Sequence, residues 1–373
     1  MIVSSKPFSY FGINYSGDNY FDLTNIEFYR SGREALLSGL ISLGLKKGDS
    51  IIIPAFMCSS AIEPLKSYGF KLILVDVDYD LSFSIDKIRK VIKDDNSIMA
   101  LISVQYFGFT KDIGKLIAMC RKHEIKVVED ASHSFMSQFL RDKASIKSDI
   151  EIFSMRKSLP ILDGGALRVN RNFKTVIKNN NNLNVSKTRD AKFLIFRFFE
   201  KVLIKLGINI YGHFMNSIKN KLRSKKSLEI SNLNIKTCQA SKQLKKYLTN
   251  EKYIKTSQQK IINNFNQLSN SLKKIGIRIF LESIENNVVP QACVIYDDNG
   301  GLVDYLRSKG IGAWQWPGIE MLEEIDNNPV AYPNSVIFGK CLVLLPIHQD
   351  ISEKNCYYMI KTLEKWILRY SKD

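Results

Sequence analysis

The chain has 373 residues, a hydrophobic fraction of 45% and a formal net charge of +17. That is long enough for two domains, and its hydrophobicity is ordinary for a soluble globular protein. A basic excess suits nucleic acid, an anionic membrane or acidic substrates. No aromatic-interleaved basic motif and no zinc pattern accompanies it, so neither nucleic acid nor a metal is expected. Lys, Asn and Ile are all abundant, which makes the charge compositional. Six cysteines lie far apart without a Cys-x-x-Cys pair. They read as reduced thiols of a cytoplasmic protein. The start, "MIVSSKPFSYFG", has no signal-peptide apolar region. No apolar run reaches the roughly 18 residues of a membrane-spanning helix.

In chain order, "YRSGREALLSGLISLG" (29–44) opens a helix at Ser31 and Gly32. A helix start presents free N–H groups and a positive dipole end to a phosphate, and Ser-Gly is equally a plain N-cap. Short apolar runs then alternate with helical patterns. The runs are "SIIIPAF" (50–56), "KLILVDV" (71–77), "IMALISV" (98–104), "IKVVED" (125–130), "DIEIFSM" (149–155) and "GALRVN" (165–170). Amphipathic stretches such as "DIGKLIAMCRKHE" (112–124) lie between them. Such alternation predicts an α/β fold, a mainly parallel sheet covered by helices. Ligands of these sheets bind beyond the C-terminal strand ends.

Two strand ends carry chemistry. "VVEDASHSF" (127–135) leaves Asp130 at the end of a buried strand, where a carboxylate needs a cationic or hydrogen-bonding partner. A helix cap meets that need as well as a protonated pyridine does. His133 follows three residues on. "EIFSMRKSLPILDGGALRV" (151–169) then places Lys157 one strand later, 27 residues after Asp130 (157 − 130). Neighbouring parallel strands would bring both to one sheet edge. A crowded lysine loses its proton more easily than one in water, as a nucleophilic amine requires. Ser154 adds a hydroxyl, and "DGG" (163–165) permits a tight return turn. The bland alternative is a surface pair of Arg156 and Lys157.

Residues 171–235 interrupt the pattern as a basic, Asn-rich insertion around "FLIFRFFEKVLIKLGINIYGHF" (193–214). A long helical segment is expected over 236–276. Strands "VVPQACVIY" and "CLVLLPI" then mix with helices "GGLVDYLRSKG" and "SEKNCYYMIKTLEKWILRY". The expected division is a large domain over 1–235 and a smaller C-terminal α+β domain over 236–373.

Taken together, "YRSGREAL", "GLKKGDSIIIPAF", "GFKLILVDVD", "VVEDASHS", "FSMRKSLPILDGGAL" and "LPIHQDISEKN" resemble the DegT/DnrJ/StrS sugar aminotransferase family. Its members are fold type I enzymes that use pyridoxal 5'-phosphate. The resemblance is good over about 29–170, moderate over 285–370 and poor between. It implies that Lys157 anchors the cofactor and that Asp130 keeps the pyridine nitrogen protonated. It puts His133 near the cofactor's ring oxygen. Gly32 and Arg33, beside Ser31, match the phosphate-binding turn, with Ser154 a further phosphate ligand. It implies a homodimer that aminates a nucleotide-linked keto-sugar for surface polysaccharide, with glutamate as amino donor. A sugar dehydratase is the alternative within the family, but that branch lacks the lysine. A non-catalytic scaffold is the alternative outside catalysis.

Three departures stand out. The loop before Lys157 is about two residues short of the family's usual length. Arg33 replaces the common Thr and adds a charge-assisted phosphate contact. Cys58 stands where an aromatic usually stacks on the cofactor ring. In "KGIGAWQWPGIE" (309–320), Trp316 is a candidate for the acceptor site, whereas Trp314 reads as domain packing. The basic, aromatic stretch 192–226 suits a dimer interface or a cover over the site. An anionic membrane surface is the competing partner.

Overall fold

A computed structural model of the chain describes residues 1–8, 25–138, 147–170, 187–211, 241–285, 288–317 and 323–370. Strand β1 (Ile26–Tyr29) leads into helix α1 (Gly32–Ser42). Then come β2 (Ser50–Pro54), α2 (Ser59–Tyr68), β3 (Lys71–Val75), α3 (Ile85–Asp94) and β4 (Ile98–Val104). Next follow α4 (Gly114–Lys122), β5 (Lys126–Asp130), α5 (Phe135–Gln138), β6 (Ile150–Ser154) and β7 (Gly165–Val169). These strands form one seven-stranded sheet, in the order β1-β7-β6-β5-β4-β2-β3. β3, β2, β4, β5 and β6 run parallel, and β7 runs antiparallel to both β6 and β1.

Successive residues of each strand face opposite sides. Ile51 and Ile53 of β2, with Ala100 and Ile102 of β4, enter the core under α1 and α2. Ile52 and Leu101 enter the opposite core under α3 and α4. Both faces are therefore covered, as a run of unbroken apolar residues requires. Loop access is left at the strand ends.

After α6 (Lys187–Lys205) come α7 (Lys242–Leu248) and α8 (Glu251–Lys274). The expected single helical segment is thus two helices over its described part. Thr249 is the C-cap of the first and Asn250 the N-cap of the second, its side chain accepting from Tyr253 N at 2.9 Å. Then follow β8 (Ala292–Tyr296), α9 (Leu302–Ser308), β9 (Trp314–Gln315), α10 (Glu323–Asn327), α11 (Pro333–Cys341), β10 (Leu342–Pro346) and α12 (Glu353–Tyr370). β10 is the centre of a three-stranded antiparallel sheet between β8 and β9. Leu268 and Leu272 of α8 and Met359 and Leu363 of α12 share a core with this sheet.

Two junctions fix this unit on the large sheet. Asp76, just past β3, accepts from Asn334 N at 3.0 Å, Ser335 N at 2.9 Å and Ser335 Oγ at 2.6 Å. It thereby caps α11. After β4, Phe107 adopts a left-handed backbone (φ 55°), and its carbonyl accepts from Gln291 N at 2.7 Å. At Gly108 a Cβ would stand 2.5 Å from Val289 O and Gln291 N, so only glycine lets the two chains approach. Residues 1–8 also lie on the small sheet's side: Val3 N donates to Gly310 O and Gly312 N to Val3 O, both at 2.9 Å.

Candidate active site

All nine residues singled out from the sequence line one cavity of about 280 Å³: Ser31, Gly32, Arg33, Cys58, Asp130, His133, Ser154, Lys157 and Trp316. The parallel pairing of β5 and β6, with Asp130 opposite Ile152, brings the 130s and 150s to one edge. Lys157 ends a single 3-10 turn, Met155–Lys157, that follows β6 directly. The short loop therefore still delivers the amine to the strand ends.

Asp76, just past β3, and Asp130, the last residue of β5, lie at the same kind of strand end, and their surroundings differ. Asp76 receives three donors from α11. Among the described residues, Asp130 receives only Ser132 N, at 2.9 Å on Oδ1. Asp130 is buried, yet much of its hydrogen-bonding capacity is open toward the cavity. Lys157 Nζ has no hydrogen-bond partner among the described residues. Burial lowers its pKa below the usual lysine value, Asp130 and Cys58 oppose that shift, and Arg156 adds to it. A lowered pKa leaves more of the amine uncharged than in a solvated lysine.

The anion-binding corner is built by close backbone approach. Ser31 is the N-cap of α1, its Oγ 3.5 Å from Glu34 N. The first N–H groups of the helix lack intrahelical acceptors. β7 passes directly beneath: a Cβ at Gly165 would lie 2.2 Å from Ser31 C and O. A Cβ at Gly32 would meet Ser132 Oγ at 3.2 Å and Ser154 Cβ at 3.3 Å. Arg156, which the sequence reading set aside as half of a surface pair, lines the cavity with Arg33. Arg156 is solvent-exposed as a residue, but partial desolvation of its guanidinium lowers its pKa, and the charge of Arg33 adds to the effect. An anion between the two would relieve that repulsion.

His133 closes the other side. It stacks on Phe107 at 5.9 Å and meets Trp316 edge-on at 5.0 Å. Burial, followed by the Lys157 charge, pushes its pKa well below the usual histidine value. The imidazole is neutral. Its Nδ1 accepts from Phe107 N at 3.4 Å, which assigns the proton to Nε2. Cys58, at the N-cap of α2, has Sγ 3.0 Å from Ser60 Oγ. The aromatic in this cavity is Trp316, held edge-on by Phe56 at 4.9 Å and Phe107 at 5.6 Å.

A second cavity of about 290 Å³ adjoins the first and shares His133, Lys157 and Trp316 with it. Lys6, Tyr211, Gln291, Trp314, Arg307 and His348 line it too. Sequence reasoning missed Lys6, Arg156 and Arg307. Only Arg156 carried a signal, its place beside Lys157. Of the 171–235 insertion, residues 187–211 are described, and 212–226 of the stretch 192–226 lie outside the described residues.

Residues 26–189 match the sequence pattern of the DegT/DnrJ/EryC1/StrS aminotransferase family. Among curated proteins, a GDP-perosamine synthase of Escherichia coli O157:H7 is 26% identical over 143 residues, 38% of this chain and 39% of that protein. A UDP-4-amino-4,6-dideoxy-N-acetyl-beta-L-altrosamine transaminase of Campylobacter jejuni is 25% identical over 184 residues, 48% of this chain and 46% of that protein. The chain thus matches less than half the length of these relatives. Among solved structures, the PLP-form of Spr1654 from Streptococcus pneumoniae superposes with a TM-score of 0.68 at 14% identity, covering 98% of both chains. A DegT DnrJ EryC1 StrS aminotransferase from Brucella abortus gives 0.63 at 17% identity, covering 91% of this chain and 85% of that one. The fold is shared with these proteins.

Proposed function

We propose that the chain is a pyridoxal 5'-phosphate-dependent aminotransferase that passes an amino group, from glutamate, to a nucleotide-linked keto-sugar. The observation that carries this reading is one cavity lined by an amine without a hydrogen-bond partner among the described residues, a carboxylate with open capacity and a helix N-terminus flanked by arginines. These residues fit the cofactor. Lys157 Nζ would hold it covalently, Asp130 would pair with its ring nitrogen, and Ser31, Gly32, Arg33, Ser154 and Arg156 would take its phosphate. When bound, the cofactor supplies an electron sink that makes a proton on the adjacent carbon removable.

The chain's own groups do the rest. The carboxylate of Asp130, kept apart from other donors, favours a proton on the nitrogen it faces. Lys157 Nζ lies on the wall between two cavities, placed to carry a proton across the reacting carbon. Neutral His133 offers an Nε2–H without a competing positive charge. Trp316 keeps apolar surface against the site and excludes water. The presence of Lys157 in the cavity disfavours the dehydratase alternative, because that branch lacks the lysine.

Offering glutamate with a panel of nucleotide-linked keto-sugars, and reading products by mass spectrometry, tests the reading. An amino-sugar product dependent on Lys157 is expected; no amination of any acceptor would overturn it. We further infer a cytoplasmic homodimer serving surface-polysaccharide synthesis. The exposed Ile195, Phe196, Phe198 and Phe199 of α6 offer the contact surface. No helix among the described residues is long and apolar enough to cross a membrane. Salt-sensitive binding of the protein to anionic vesicles would replace the subunit contact by a bilayer.

A further inference from the structure

Helices α3 and α4 cover the sheet face opposite α1 and α2, and a groove lies between them. Ile85, Arg89 and Ile92 line it from α3, with Asn96 just beyond that helix. Lys115, Ala118 and Lys122 line it from α4. Within each set the residues are three or four apart, so each set is one stripe along its helix. The groove therefore follows both helices for about two turns, roughly 12 Å at 1.5 Å per residue. Ala118, midway along the α4 wall, is exposed and too small to fill it.

Floor and rims differ in chemistry. Ile92 belongs to the core below, and Ile85 and Met119 pack against that core half-buried. Above them stand Arg89 and Lys93 on one side and Lys115, Lys122 and His123 on the other, all exposed. No carboxylate lines the groove among the described residues. Nearby cations outside it are paired: Lys87 with Asp78 at 2.9 Å and Lys111 with Asp80 at 2.7 Å. Arg89 pairs with Asp86 on its own helix. Lys93, Lys115 and Lys122 have no ion-pair partner among the described residues.

This combination selects an occupant. Like charges along both rims favour a partner that carries carboxylates. A second copy of this chain, with a net charge of +17, brings the wrong sign. A bilayer surface meets the lysine tips and leaves the recessed apolar floor bare. A helix laid between two helices reaches that floor, and it needs an apolar stripe below and acids on both flanks.

We propose that the α3–α4 groove is the docking site for an acidic amphipathic helix of another protein. Its apolar stripe rests on Ile85, Ile92 and Met119, and its carboxylates lie between the rim lysines. None of the groove residues lines either cavity beside Lys157, so docking is independent of the aminotransferase reading and compatible with turnover.

The probe is a helix-stabilised, fluorescein-labelled peptide of about 14 residues, with Leu at every third or fourth position and Glu on both flanks. Fluorescence anisotropy measures its affinity for the full-length, cofactor-loaded protein at low salt. A peptide of the same composition with the stripe scrambled should bind at least about tenfold more weakly. The Lys93→Glu, Lys122→Glu double variant should weaken the striped peptide by about tenfold or more. Ala118→Arg adds a positive charge but blocks the floor, so it should weaken binding, whereas simple charge attraction would strengthen it. Lys90→Glu, on α3 outside the groove, should change little. All four positions are exposed, and each variant should keep the wild-type melting temperature. No binding to the wild type, equal binding of striped and scrambled peptides, or tighter binding to Ala118→Arg overturns the proposal. So does an equal loss in Lys90→Glu and in the double variant, or no loss in the latter. A single-stranded oligonucleotide that binds more tightly than the peptide, and is lost in the double variant, would make the groove a polyanion site instead.

Discussion

The Arg197 guanidinium donates to the Pro7 carbonyl across 190 residues of sequence. It also pairs with Glu200 one helical turn on and lies over the Phe8 ring at 5.6 Å. This contact, with the pairing of Val3 beside Ile311, holds the N-terminal strap beside the cavity that Lys157 lines.

Lys157→Ala is expected to abolish any borohydride-reducible link to the cofactor and all turnover. The side chain is half-buried and pays a desolvation cost, so stability should change by less than about 1 kcal/mol. Mass spectrometry of the borohydride-treated protein, alongside thermal melting, checks both halves. A reduced adduct in the variant would assign the link to another lysine.

Asp130→Asn keeps an oxygen for Ser132 N but removes the negative charge. Cofactor should still bind through the phosphate corner, and turnover should drop by at least about 100-fold. Steady-state rates at saturating cofactor decide it; a near-normal rate would mean Asp130 is a cap after all.

Gly165→Ala would push a methyl to within 2.2 Å of Ser31 and 2.8 Å of Gly32 N, both backbone contacts that cannot swing away. The start of α1 must move. A stability loss of about 1–3 kcal/mol is expected, with weaker binding of the cofactor and of inorganic phosphate. Retained phosphate affinity would place the anion corner elsewhere.

His348 supplies a stability signature that depends on pH. Burial, with a lesser contribution from Arg197, lowers its pKa to about 4, against the Ser4 hydrogen bond. The unfolded chain therefore takes up this proton first. Stability is present above the ordinary histidine value and is lost as pH falls toward about 4, by about 3 kcal/mol in all. Asp350, raised to about 6 by burial, works the other way over the same range. The slope should therefore be read as the difference between wild type and His348→Gln in urea melts at pH 7 and pH 4.5. Parallel losses in the two proteins would deny His348 this role.

The parts legible in the sequence were those encoded locally. Each apolar run of the large sheet carries its own length and β-branched content, and each became a strand within a residue or two of the expected bounds. β1 was missed because four residues, Ile26–Tyr29, give too short a pattern to separate from the turn before α1. Asp130 and Lys157 were legible because parallel order and strand spacing alone put them together. Lys6 and Arg307 were not, since their meeting depends on Val3 pairing beside Ile311 and on an insertion bridging both. Nothing near "SSKPFS" signals a partner three hundred residues away. Asn250 likewise looks like any polar residue of a long helix, until its side chain is seen to start a new one.

His133, Lys157 and Trp316 belong to the walls of both cavities, so these side chains form the barrier between them. A molecule on either side presses on the same imidazole, amine and indole. Whatever it changes in their position or charge is felt across that barrier. Thermodynamic reciprocity then fixes the traffic: if filling one compartment weakens the other by some factor, the reverse holds by the same factor. Neither compartment can be titrated as though the other were inert. The Trp316 ring, fluorescent and shared, reports on both.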